Sequence, residues 1–129
     1  MILLDTHVLV WSVADSKRLT RAAVAAIRGA QREDGLAISA ITLWELASLL
    51  ARGRIQAYGT VDVSVRLLIE GVVVKPITPE IAALSTQFPD DYSRDPADRL
   101  IGATARVEGL SLVTRDENIR KSPLLHTIW

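Results

Sequence analysis

Along the chain, short runs of consecutive apolar residues alternate with longer stretches in which apolar residues recur every three or four positions. The runs Ile2-Leu3-Leu4, Leu36-Ala37-Ile38-Ser39, Val72-Val73-Val74 and Leu110-Ser111-Leu112-Val113 predict four strands, and His126-Thr127-Ile128 a short fifth. Between them, Thr20 caps a helix over roughly 21–31 that is rich in the strong helix former Ala. A second helix covers about 42–52, with Leu43, Leu46, Ala47 and Leu50 on one face, and a third covers roughly 61–70 and stops at Gly71. Pro76 breaks the third strand, Pro79 starts a short helix to about Gln87, and Pro89 to Asp95 reads as loop. Asp95-Pro96 then opens a helix to about Val107, with Gly109 just past its end.

Strands alternating with helices imply an α/β fold: a central, mostly parallel sheet of four to five strands with helices on both faces, in three α/β/α layers. Strands that are apolar almost throughout suit burial on both faces. In such folds ligands bind beyond the carboxyl ends of the strands, so the residues that follow each strand are where chemistry is expected.

Composition narrows the picture. The 129 residues fit a single domain, residues 1–129, and 49% hydrophobic content with a mean hydropathy of +0.23 argues for a real core. Aromatic residues supply only 5%, so Leu, Ile, Val and Ala must fill that core. The absence of cysteine excludes a disulfide framework, a thiolate zinc site and a cysteine nucleophile. No stretch approaches the ~20 apolar residues of a membrane span, and Met-Ile-Leu-Leu-Asp offers neither a basic leader nor a signal-peptide core. A soluble, cytoplasmic protein with no membrane contact is expected. The 15 basic and 15 acidic residues cancel, whereas nucleic-acid binders usually carry a basic surplus. Any polyanion site must therefore be local.

Asp5 directly follows the first strand, Glu45 lies six residues past Ser39, and Asp116 comes three residues after Val113. Asp98 belongs to the first turn of the helix opened by Asp95-Pro96. In a parallel sheet at least three of these four acids arrive at one edge. Like charges a few ångströms apart raise each other's pKa, so such a cluster calls for a cation, and hard carboxylate oxygens suit Mg²⁺ or Mn²⁺. A metal so held, with positions open to water and phosphate, can hydrolyse a phosphodiester. The reading requires Asp5, Glu45 and Asp98 to reach one cation.

Each acid also has a local reading. Thr42-Leu-Trp-Glu45 fits a capping box and Asp95-Pro-Ala-Asp98 is close to one, and acids near any helix start favour the macrodipole. Asp116 or Thr114 can cap a turn through 116–120. Asp5 is the exception, since it closes a buried strand and has no cap role if the helix begins later. His7 is open between metal ligand, general base and an ordinary packed or half-exposed residue of a first helical turn; His126 has less in its favour. Trp11, Trp44 and Trp129 are scattered and read as core or interface residues rather than base-stacking platforms. Thr6, Ser39 and Thr114 stand where a hydroxyl can bond a carboxylate or a metal-bound water. Arg94, Arg99 and Arg115 flank Asp95, Asp98 and Asp116, with Arg120-Lys121 close behind. They form either a phosphate-binding rim or partners of the neighbouring acids.

Taken in order, these segments resemble PIN-domain proteins, and among them the VapC toxins of bacterial toxin–antitoxin pairs. Leu3-Leu4-Asp5-Thr6-His7 resembles the first motif of the family, and Ser39-Ala-Ile-Thr-Leu-Trp-Glu45 the second. Asp95-Pro-Ala-Asp98-Arg99-Leu-Ile101-Gly-Ala103 resembles the third, and Val113-Thr114-Arg115-Asp116 the fourth. No single motif is specific; the ordered set spans essentially the whole chain. The resemblance implies a PIN fold and a ribonuclease in which Asp5, Glu45, Asp98 and Asp116 bind Mg²⁺ or Mn²⁺ and orient an attacking water. Asp5 and Asp98 are its metal positions, with Glu45 and Asp116 acting directly or through water. It further implies a homodimer and a small antitoxin whose C-terminal tail crosses the helices near 42–70 and blocks the site. Gly102 departs from the Ala more usual in the family, at roughly 1 kcal/mol of helix propensity.

Rival functions need residues this chain lacks. A phosphatase of the haloacid-dehalogenase type requires a second Asp two residues after the first, where His7 stands, and a Lys near the later motifs. Lys75 is badly placed for that role, and Lys121 lies beyond the last motif. A phosphorylation receiver requires paired acids at the first strand, and Asp5 has no acidic neighbour. A degenerate PIN domain that only binds a partner would be expected to have lost at least one carboxylate, and none is missing.

Overall fold

The apolar runs form strands β1 (Ile2–Leu4), β2 (Leu36–Ser39), β3 (Val72–Lys75), β4 (Leu112–Val113) and β5 (Thr127–Ile128) in a computed structural model that describes all 129 residues. All five are parallel, in the order β3-β2-β1-β4-β5. The fourth strand is shorter than its apolar run, yet the Ser111 carbonyl still accepts from the Leu3 amide at 2.9 Å.

Alternation along each strand sends successive side chains to opposite faces. Leu4, Leu36, Ile38 and Val113 enter one core with Val8, Leu9, Ala23, Ile27 and Leu46. Leu3, Ala37 and Leu112 enter the other with Ile81, Ile101, Ala105 and Ile119. The first layer is built by helices α1 (Thr6–Ala14), α2 (Arg21–Arg32), α3 (Ala40–Ala51) and α4 (Val61–Leu68), the second by α5 (Pro79–Ser85), α6 (Pro96–Glu108) and α7 (Glu117–Arg120). Leu3 and Leu4 are both fully buried, so a one-residue slip of β1 would exchange the two cores. That constraint fixes where the strand ends, and hence where Asp5 sits. No helix is long and apolar enough to cross a membrane.

Helix starts follow short polar residues. Thr20 and Thr78 cap α2 and α5 by accepting from Ala23 and Ile81 amides, and Asp95 caps α6 ahead of Pro96. Gly109 ends α6 at φ 67°, a conformation that suits glycine. Two starts differ from expectation. α1 begins at once after Asp5, and α3 begins at Ala40, two residues ahead of the expected start. Thr-His-Val-Leu-Val-Trp-Ser-Val-Ala has little polar contrast, because Thr6, Val8, Leu9 and Val10 are all buried, and a helix buried on several sides loses its periodic signal.

Gly102 is more than a loss of helix propensity. A Cβ there would lie 2.8 Å from Phe88 Cε2 and would collide with the Tyr92 hydroxyl. Those two rings pack edge to face with centroids 4.6 Å apart. The departure from Ala makes room for this aromatic pair.

The sheet order places the site. From β1 the chain builds outward to β2 and β3, then crosses to the other side for β4 and β5. The direction reverses between β1 and β4, which is where a parallel sheet opens a crevice at its carboxyl edge.

Candidate active site

β1 and β4 end side by side, the Asp5 amide donating to the Val113 carbonyl at 3.0 Å. Asp5 then caps α1: its Oδ1 accepts from the Thr6 amide at 2.8 Å. Asp5 escapes a cap role only if its helix begins later; the helix starts at the next residue, so that condition is not met and Asp5 does cap it. Its other oxygen, Oδ2, accepts from the buried Thr114 hydroxyl, also at 2.8 Å.

Glu45 is held differently. Ser39 caps α3 by accepting from the Ile41 amide at 3.3 Å, which places Glu45 beyond the first turn. The capping box expected between Thr42 and Glu45 does not form. Thr42 is fully buried and lies 3.0 Å from the Thr6 hydroxyl, which donates to Glu45 Oε1 at 2.5 Å. A threonine has one hydroxyl proton, so the chain of donation runs Thr42 to Thr6 to Glu45.

Asp98 sits in the first turn of α6 and does not reach back to the Asp95 amide. The Ser93 hydroxyl accepts from that amide at 3.2 Å and donates to Asp98 Oδ2 at 2.6 Å. Asp116 does have the expected cap role at α7, its Oδ1 accepting from Asn118 and Ile119 amides at 2.9 and 3.1 Å. Oδ2 of Asp116, Oε2 of Glu45 and Oδ1 of Asp98 accept no protein hydrogen bond.

All four acids line one open cleft of about 420 Å³, together with His7, Asp95 and Arg115. Asp95 is a fifth carboxylate in this cleft, and only its place in the Asp95-Pro-Ala-Asp98 segment marked it beforehand. A larger hollow of about 690 Å³ lies by α5, α6 and the C-terminal loop, but Asp91 is its single acid, so size does not mark the site.

The electrostatics set the cleft apart. Burial is the main cause pushing the Asp5 and Glu45 carboxyls above their usual range; Asp116 adds to it at Asp5, and Asp5 and Asp95 add to it at Glu45. The Thr114 and Thr6 hydroxyls pull the other way. Asp98 is raised to about 7, by burial and then by the charges of Asp5, Asp95 and Asp116. The buried Tyr92 hydroxyl behind it is also pushed up. None of these acids takes part in an ion pair; the four ion pairs in the protein all lie elsewhere.

This answers one open alternative: the flanking arginines do not pair with the acids. Arg99 does not form a rim either, since its guanidinium donates to the carbonyls of Ser93, Phe88 and Pro89 and ties down the loop before α6. Ser39 is spent on the α3 cap, whereas Thr6 and Thr114 do bond carboxylates; so does Ser93, which the sequence did not single out, and Thr42, read there as a cap residue, backs Thr6 instead. His7 is exposed beside Trp11, with ring centroids 5.9 Å apart, and His126 is exposed and bonded to Ser111. Trp11 and Trp129 pack on each other at 6.1 Å, while Trp44 is 63% exposed.

The donor set suits a divalent cation: hard oxygens, unpaired with any protein cation, whose raised pKa values record burial and mutual repulsion. As they stand, no three of the acids and His7 form a ready-made ligand set for an ion.

The sequence matches the PIN domain over residues 2–123. It is 42% identical over 130 residues to Ribonuclease VapC22 of Mycobacterium tuberculosis, covering 99% of this chain and 98% of that protein. In fold it is similar to VapBC2 of Rickettsia felis, solved bound to a promoter DNA fragment, at TM-score 0.74 and 16% identity over 98% of this chain and 97% of that one. DNA-bound VapBC of Salmonella typhimurium is similar at TM-score 0.70 and 21% identity, over 98% and 97% of the two chains. With the four motifs in order, an all-parallel sheet and the acids at its switch point, the chain belongs to the PIN-domain family, and its kinship there is with the VapC ribonucleases.

Proposed function

We propose that this protein, acting as one domain over residues 1–129, is a metal-dependent ribonuclease and the toxin of a toxin–antitoxin pair. In this reading Asp5, Glu45, Asp98 and Asp116 hold Mg²⁺ or Mn²⁺, Asp5 and Asp98 directly and the other two directly or through water. The observation that carries it is the convergence of these acids, without a cationic partner, on the crevice between β1 and β4. Kinship to a named ribonuclease at 42% identity supports the choice of RNA.

When bound, such a cation supplies Lewis-acid polarisation of the phosphoryl group and activation of water for hydrolysis of one P–O bond. The chain's own residues prepare the cleft. Thr114 and Thr6 donate to Asp5 and Glu45 and so fix one oxygen of each, leaving further lone pairs for coordination. The two α7 amides anchor Asp116 through Oδ1 alone. Neutral hydroxyls orient these acids without neutralising them, which preserves their charge for a cation.

The partner proposed is a small antitoxin. We assign its docking to a hollow of about 460 Å³ between α1 and α4, lined by Val10, Val13, Ile55, Tyr58 and Leu67, next to the helices near 42–70 that its C-terminal tail is expected to cross. Val13, Tyr58 and Leu67 are 58%, 63% and 52% exposed there, more than a lone soluble surface favours. The protein is further proposed to act in the cytoplasm as a homodimer. Purified protein is expected to cleave RNA with Mg²⁺ or Mn²⁺ and to lose that activity in EDTA or on Asp5→Asn. Equal cleavage by the Asp5→Asn variant would identify a contaminant and sink the assignment. Expression alone is expected to slow growth and co-expression of the partner to relieve it; harmless expression of an RNA-cleaving protein would remove the toxin role.

A further inference from the structure

A cleft lined by five carboxylates repels RNA, so something beyond the metal has to receive the polyanion. Among the residues lining it, Arg115 is the single arginine or lysine. Its guanidinium makes no hydrogen bond and no ion pair with the protein, in contrast to Arg99, whose donors go to three carbonyls, and Arg18, which pairs with Asp15 at 3.2 Å. Its sequence neighbour Asp116 does not claim it, because that carboxylate is turned to the α7 amides. What holds Arg115 is the ring of Trp11, with the guanidinium carbon 5.7 Å from the ring centroid; Arg18, already paired with Asp15, lies over the same ring at 5.5 Å but does not line the cleft. Trp11 is held in turn by Trp129 and itself lines the cleft.

We propose that Arg115, seated on Trp11, binds a backbone phosphate of the RNA substrate at the mouth of the acid cleft. Arg115 is the substrate-binding residue and Trp11 the positioning residue. A planar guanidinium can stack on an aromatic face and still present its in-plane N–H donors to phosphate oxygens. Holding it there beforehand lowers the ordering cost of the phosphate contact. This also answers how a chain of zero net charge can take a polyanion: one placed cation beside the metal site, rather than a basic surface.

The inference rests on the ribonuclease reading, and binding measured apart from cleavage separates the two. Fluorescence anisotropy of a fluorescein-labelled single-stranded RNA, titrated in Mg²⁺ with Asp98→Asn protein, reads binding alone. Adding Arg115→Ala is expected to raise Kd roughly tenfold and to make the slope of log K against log salt shallower by about 0.7, the share of one single-strand phosphate. Trp11→Leu should move Kd in the same direction and Trp11→Phe should restore it, which loss of packing alone would not explain. In otherwise wild-type protein, Arg115→Ala should raise KM for RNA more than it lowers kcat. Unchanged Kd and salt slope in Arg115→Ala, with the wild type cleaving RNA, overturns the proposal and leaves the nuclease reading standing. A wild type that fails to cleave, with the Arg115→Ala loss of binding still present, removes the nuclease reading and supports the phosphate contact. Failure of the Asp98→Asn protein to bind RNA at all overturns the proposal outright.

Discussion

Acidic residues meet two different environments in this molecule. Outside the acid cleft, Asp15, Asp62, Glu108 and Asp34 each face a positive charge, from Arg18, Arg66, Lys75 and the N-terminal amine. In the cleft between β1 and β4, Asp5, Glu45, Asp98 and Asp116 face hydroxyls, amides and one another. The first group is ordinary surface chemistry, worth little to folding. Within the second group Asp5, Glu45 and Asp98 oppose folding when ionised, since their raised pKa values show that the native state disfavours these charges. A sequence with 15 cations to distribute pairs none of them with these acids, which marks the cleft as built for a ligand rather than for stability.

The largest test of that contrast is Asp98→Asn. Cleavage is expected to fall on the order of 10³-fold, because a metal-site charge disappears, while the fold becomes more stable in cation-free buffer. The sign follows from linkage: the Asp98 carboxyl titrates near 3.8 when unfolded and about 7 when folded, so between those values the native state holds the extra proton. Stability of the cation-free protein therefore falls as pH rises from about 4 through 7, and the Asn variant escapes that fall. Thermal melts in EDTA at pH 8 should show the variant more stable by about 2 kcal/mol, after allowing for the cleft's contact with water. A variant less stable than wild type would contradict the contrast. Mg²⁺ should raise the wild-type Tm at pH 8 and change the variant's less.

Thr114→Val comes next. It removes the hydroxyl that orients Asp5 Oδ2 while keeping the buried volume. Loss of such a partner costs typically 10–100-fold in metal affinity or activity, measurable as a shifted Mg²⁺ dependence of cleavage. An unchanged metal dependence would reduce Thr114 to a packing role. The smallest effect is expected on the other side of the comparison. Arg66→Ala breaks the exposed pair with Asp62 and should change unfolding free energy by less than about 0.5 kcal/mol, with cleavage intact.

Much of this layout is legible in the chain, for identifiable reasons. The β1 and β2 runs predict their strands within their observed bounds because burial on both faces leaves them almost wholly apolar. Parallel pairing then brings Asp5 and Asp116 to one edge by position alone. Helix α1 is obscure because its buried faces leave no amphipathic signal, and so the capping role of Asp5 stays hidden. The capping box assigned to Thr42 and Glu45 fails because Ser39, at the strand end, competes for the cap and wins. Arg99 looks like a rim residue in sequence and is an anchor for loop carbonyls in space. Gly102 looks like a weak helix residue and is the clearance for Phe88 and Tyr92. In each case the deciding partner is remote in the chain or absent from any local pattern.

The central claim is that Asp5, Glu45, Asp98 and Asp116 jointly hold one divalent cation. Calorimetric titration of Mn²⁺ into the protein at pH 7.5 and at pH 6 tests it most directly. A single site is predicted, weaker at pH 6 because protons compete near the Asp98 pKa of about 7, and at least about tenfold weaker in Asp98→Asn. No saturable binding, or binding that Asp98→Asn and pH leave untouched, would contradict the account.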